Sequence, residues 1–158
     1  MDVVGRRMGV ADSSKTAAAG RPSVPVMTET ANGYARINLD DVTDLAAQYG
    51  MAELGEARYL REDVGAERIA ATLYRMNPGR RTGFGHRHRE AEEMYVVLSG
   101  SGRAKVEDDI VDLRALDALR VAPSCMRELE AGPHGMVVLA FGTHVADDGE
   151  MVQDWWTG

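Results

Sequence analysis

Between residues 57 and 141, apolar and polar positions alternate with a period of two, in short runs separated by turn-forming residues. Such alternation places successive side chains on opposite faces of a pleated strand. The runs predict strands at 57–61, 68–76, 84–88, 93–98, 102–107, 110–113, 118–121, 127–130 and 136–141. Asn77-Pro78-Gly79, Ser99-Gly100-Ser101-Gly102, Asp108-Asp109 and Ala131-Gly132-Pro133-His134-Gly135 break the pattern between them. Upstream the period lengthens. Residues 39–50 predict one short helix, with Asp40 as N-cap, Val42, Leu45, Ala46 and Tyr49 as its apolar stripe, and Gly50 just past its end. Short strands with no helices between them predict an antiparallel sandwich or barrel and exclude parallel βαβ units.

The chain has 158 residues, 44% of them hydrophobic, which is enough for one globular domain with a core. A formal charge of -7 and the lack of a basic stripe argue against a nucleic-acid partner. No apolar run approaches the roughly 18 residues of a membrane span. The single cysteine, Cys125, excludes an internal disulfide and fits a cytoplasmic location. Residues 1–26 are rich in Ala, Gly, Ser and Pro and show no period; they are expected to be a disordered tail, or an upstream extension of a protein whose natural start is Met27. Arg6-Arg7 lacks the apolar run that an export signal needs after it. Residues 27–158 are then a single domain.

Candidate chemistry sits in GFGHRHREAEEMYVVLSGSG, residues 83–102. Residues two apart on a strand share a face, so Phe84, His86 and His88 point one way and Arg87 and Arg89 the other. Arginines belong outside, which turns the histidines inward. Two imidazoles converging on one interior point are the start of a metal site; packed, hydrogen-bonded core histidines are the alternative. Glu93, Tyr95 and Val97 share one face of the next strand, and Glu92 lies on the other.

His86-x-His88, four residues, Glu93, six residues and Gly100 match the first motif of the cupin superfamily, with the usual upstream glycine displaced. The resemblance covers residues 68–142. It implies a small antiparallel jelly-roll β-barrel with the short helix in front, generally dimeric, with a metal or small ligand inside. It also implies that His86, His88 and Glu93 ligate a divalent ion (Fe, Zn, Mn or Ni), in an oxygenase- or isomerase-type enzyme or a small-molecule binder.

The second motif of that family is degenerate here. In LDALRVAPSCMRELEA, residues 116–131, Arg127 stands where the family's fourth ligand, a histidine, would be. If Glu128 and Glu130 face outward, Arg127 and Leu129 face inward. With metal, Arg127 would hold an anionic substrate beside Tyr95; without metal, Arg127 and Glu93 would form an interior ion pair in a ligand-binding or interaction barrel. A divalent ion about 5 Å from a guanidinium is opposed by about 6–7 kcal/mol at an effective dielectric of about 20. That is a large part of the roughly 10–16 kcal/mol of tight structural zinc.

His134 and His144 read as loop residues, Cys125 as a small buried residue, and Arg80 and Arg81 as a solvated loop. The acidic end carries Trp155-Trp156, expected to cover an apolar patch on the barrel or on a partner. Residues 95–98 and 136–141 are apolar on both faces, so one face needs a second cover. A homodimer is the expected arrangement.

Overall fold

A computed structural model of the chain describes residues 33–157. The expected extension 1–26 and the start at Met27 lie outside the described residues. Eight strands, paired antiparallel throughout, make up the sheet: β1 (Gly55–Tyr59), β2 (Ile69–Met76), β3 (Phe84–His88), β4 (Glu93–Val106), β5 (Asp109–Arg114), β6 (Ala118–Val121), β7 (Arg127–Thr143) and β8 (Gly149–Gln153). The main path runs β1-β2-β7-β3-β8, while β4 pairs with β5, β6 and β7. The sheet thereby curls into an antiparallel barrel, one of the two arrangements the alternation predicts and the jelly roll that the resemblance implies.

Two of the predicted turns are bends within strands. β4 and β7 pair along nearly their whole length, with register shifts between Val97 and Ser99 and between Gly100 and Gly102. Before the bulge the inward residues of β4 are odd-numbered, Tyr95 and Val97; after it Ala104 is inward. β7 behaves the same way, with Arg127, Leu129 and Ala131 buried before Gly132–Gly135 and Met136, Val138 and Ala140 after it. An inserted residue flips strand parity, so the bulge keeps each strand's buried set on one side while the sheet bends. Gly100 makes this approach possible. It has φ +76, and a Cβ there would lie 2.2 Å from the Gly135 carbonyl oxygen.

The predicted helix is split. A 3-10 turn, Leu39–Asp41, is capped by Asn38, and a single α-turn, α1 (Leu45–Gln48), is capped by Asp44. Asp40 is therefore not the N-cap: the Asn38 and Asp44 side chains each take a backbone N–H and restart the chain. Asp44 also accepts from Ala57 N–H, tying α1 to β1. Val42 and Ala46 of the predicted stripe are buried, whereas Tyr49 is 72% exposed.

The core contains Met76, Val97, Ala104, Leu113, Val121, Leu129, Met136 and Val138. β8 was not legible in the alternation, because all five of its residues are exposed. It pairs with β3 from Phe84↔Gln153 to His88↔Gly149. Beyond it Trp155 and Trp156 dock on their own barrel. Gly85 faces the indole of Trp155, where a Cβ would come within 2.7 Å. Trp156 is buried, with the Arg81 and Arg103 guanidinium groups over its ring at 4.7 and 5.3 Å. Arg81 is accordingly not a solvated loop residue: it pairs with Glu130 at 2.6 Å and donates to the Trp156 carbonyl.

Candidate metal centre

Three strands bring the predicted residues together. β3 supplies His86 and His88, with Arg87 turned to solvent and paired to Glu150 at 2.9 Å. β4 supplies Glu93 and Tyr95. β7 supplies Arg127 as its first residue, in register with His86. Glu92 faces solvent and pairs with Arg120, as its turn position implies.

His86 Nε2 lies 3.2 Å from Glu93 Oε2, and His88 Nε2 lies 3.6 Å from Glu93 Oε1. One ligand atom from each of these residues falls within 4.8 Å of the others. The two imidazoles stand edge to face, 5.5 Å apart. Arg127 is 1% exposed and closes the other side of the carboxylate, with Nη2 2.6 Å from Glu93 Oε2. Its Nε donates to the Tyr95 hydroxyl at 3.2 Å, and Nη1 donates to the carbonyls of Pro123 and Cys125 at 3.3 and 3.1 Å. The Tyr95 hydroxyl in turn donates to Glu93 Oε2. Oε2 is thus crowded with donors, and Oε1 faces His88.

Glu128 shows where strand parity misleads. It points away from the barrel interior, as the alternation requires, yet it is 3% exposed because the C-terminal segment lies over it. It accepts the Trp156 N–H at 3.2 Å. Its carboxyl is pushed up, burial being the main cause.

Burial works against ionisation of Glu93 as well. There the His86, His88 and Tyr95 side chains outweigh it and hold the carboxyl far below the usual range. Burial pulls His86 below its ordinary value of 6.5, with Arg127 adding to the effect and Glu93 opposing it. At neutral pH His86 is therefore a neutral imidazole, the form that binds metals.

The ring nitrogens supply a test of fit. His86 Nδ1 and both nitrogens of His88 are buried with no hydrogen-bond partner. Buried polar atoms normally have one. Of these three nitrogens, His88 Nε2 faces the Glu93 carboxylate, and two imidazoles converging on one carboxylate match the donor set of a divalent metal.

One contributor escaped sequence reasoning. Asp148, 5% exposed at the entrance to β8, accepts the backbone N–H groups of Arg89, Glu90 and Ala91 and lies 3.5 Å from His88 Nδ1. The available signal was weak: an Asp147-Asp148-Gly149 turn ahead of a short run, in a segment read only as acidic.

No family model matches the chain, and no curated protein matches it. Solved structures do. A cupin protein from Bacteroides fragilis superposes with TM-score 0.58 at 20% identity, covering 79% of this chain and 97% of that one. Oxalate decarboxylase from Bacillus subtilis superposes with TM-score 0.56 at 24% identity; the match covers 67% of this chain but 30% of that longer one. A sugar phosphate isomerase from a cupin superfamily, from Silicibacter pomeroyi, gives TM-score 0.55 at 14% identity, covering 67% and 82%. With the curled antiparallel sheet and the inward His86, His88 and Glu93 of the first motif, these likenesses establish that the chain has a cupin fold.

Proposed function

We propose that this protein is a cupin whose interior holds a divalent metal on His86, His88 and Glu93 and which binds or transforms a small molecule there. The observation that carries this reading is the convergence of one ring nitrogen each from His86 and His88 on Glu93, within 4.8 Å of one another, with His88 Nε2 buried and without a hydrogen-bond partner. Two histidines and one carboxylate suit iron, zinc, manganese or nickel and leave coordination positions open. A metal in such a site polarises a ligand oxygen.

The chain's own residues fit a compact ligand. A cavity of about 10 Å³, room for about one water, is bordered by Thr82, Phe84, His86, Tyr95 and Arg127. Next to it, sharing Tyr74, Thr82 and Phe84, a chamber of about 40 Å³ opens between α1, β1 and β3, lined by Met51, Leu54 and Tyr59. Arg127 spends four N–H groups on Glu93, Tyr95, Pro123 and Cys125, which leaves one of the five of a guanidinium. A ligand with one oxygen-bearing head toward Arg127 and Tyr95, and an apolar body toward Phe84 and Tyr59, suits this arrangement.

The Arg127–Glu93 contact of 2.6 Å favours a second reading, a metal-free barrel in which this pair is structural. Metal analysis of untagged protein after incubation with iron, zinc, manganese and nickel separates the two. The first reading expects near-stoichiometric uptake of one of them, tightened in Arg127→Ala; trace uptake of all four in both proteins would sink it. Under either reading we place the protein in the cytoplasm.

A further inference from the structure

We propose that Asp148 is the positioning residue of this centre, an inference that rests on the metal reading for its consequence but not for its geometry. The loop that joins the second histidine to the glutamate, residues 89–92, contains no regular structure. Its shape is set from outside. One carboxylate, arriving from the far end of the chain, gathers three successive backbone N–H groups: Arg89 and Glu90 on Oδ1 at 3.0 and 3.1 Å, and Ala91 on Oδ2 at 2.9 Å. Those bonds fix the reach from His88 to Glu93.

The same Oδ2 lies 3.5 Å from His88 Nδ1. Carboxylates face both ring nitrogens and compete for the His88 proton; Glu93, 3.6 Å from Nε2, already accepts from Tyr95 and Arg127, so Asp148 draws the proton to Nδ1 and the Nε2 lone pair is left for the centre. β8 delivers Asp148 to this point through its pairing with β3, which runs the length of the histidine strand. The exposed strap therefore acts on the buried site: it pins the loop and orients one ligand.

The test uses the full chain, wild type, with Asp148→Asn and Asp148→Ala and with Glu150→Gln as a control on the same strand. In metal-free wild type, nitrogen-15 NMR should find His88 as the Nδ1–H tautomer. Predominance of the Nε2–H tautomer overturns the proposal, even if neither variant folds. Asp148→Asn should redistribute the His88 tautomers while leaving the His86 resonances in place, which a general loosening of the fold would not do. It should also weaken zinc binding, measured by competition titration, by about 10–100-fold, with Glu150→Gln unchanged. A His88 spectrum indifferent to Asp148→Asn overturns the assignment. If wild type takes up none of iron, zinc, manganese and nickel, the metal reading fails separately, and the His88 resonances alone decide the role of Asp148.

Discussion

Two regions of the barrel interior, both built on β4 and β7, are made from opposite materials. Beyond the glycine bulge, Ala104, Met136 and Val138 bury apolar side chains against one another. At the start of β4 and β7, Glu93, Tyr95 and Arg127 fill the same interior with charge, and each is satisfied by its neighbours. The apolar region stabilises by removing surface from water. A buried ion pair roughly breaks even against well-packed apolar residues of the same volume. Stability therefore accounts for the apolar region, and chemistry is the better reason for the polar one.

Breaking the polar region from one side should have the largest effect. Arg127→Ala leaves Glu93 without its cation and should cost about 3–5 kcal/mol in chemical denaturation. The paired change Glu93→Gln with Arg127→Met removes both charges and should recover most of that loss. If the pair costs as much as the single change, the interior polar group is not held together by charge. In the apolar region, Met136→Ala should cost about 2–4 kcal/mol through the cavity it leaves, with metal uptake per folded molecule unchanged.

Acid titration sharpens the contrast between two buried glutamates. The folded-state pKa of Glu93 is depressed, so its contribution is present above the ordinary value of 4.5 and is lost as pH falls below it. The pKa of Glu128 is raised, so its contribution is present below 4.5 and is lost as pH rises through its folded-state value. Glu93→Gln should flatten the acid limb of the melting curve against pH. Glu128→Gln, which keeps an oxygen for the Trp156 N–H, should melt at or above wild type at pH 7. A lower melting temperature there would show that the charge itself holds the tail.

The smallest stability effect is expected outside the barrel. Met94 faces Phe141 and Val96 faces Leu139 across the outer surface of β4 and β7, with Leu98 44% and Phe141 39% exposed. Trp156 docks elsewhere on the chain, so we propose that a second copy covers this patch. Light scattering should report twice 17.2 kDa for wild type and a single chain mass for Phe141→Glu, with the fold retained. A monomeric wild type would leave the patch without that partner.

Strand identity and facing were legible in the sequence because a period of two is a local property. It set His86 with His88, Glu93 with Tyr95 and Arg127 with Leu129 on shared faces before any distance was known, and it marked 95–98 and 136–141 as apolar on both faces. What covers an outward face is not local. Glu128 points outward by parity, yet it is buried because Trp156 lies over it. The glycine segments 99–102 and 131–135 carry turn chemistry, but continuous pairing of β4 with β7 makes them bulges. β8 has no buried face to write into its residues, so only its backbone bonds to β3 reveal it. Asp148 is the furthest case. Its carboxylate reaches a loop distant in the chain because the sheet folds back, and hydrogen bonds to backbone N–H groups leave no mark on the residues that donate them.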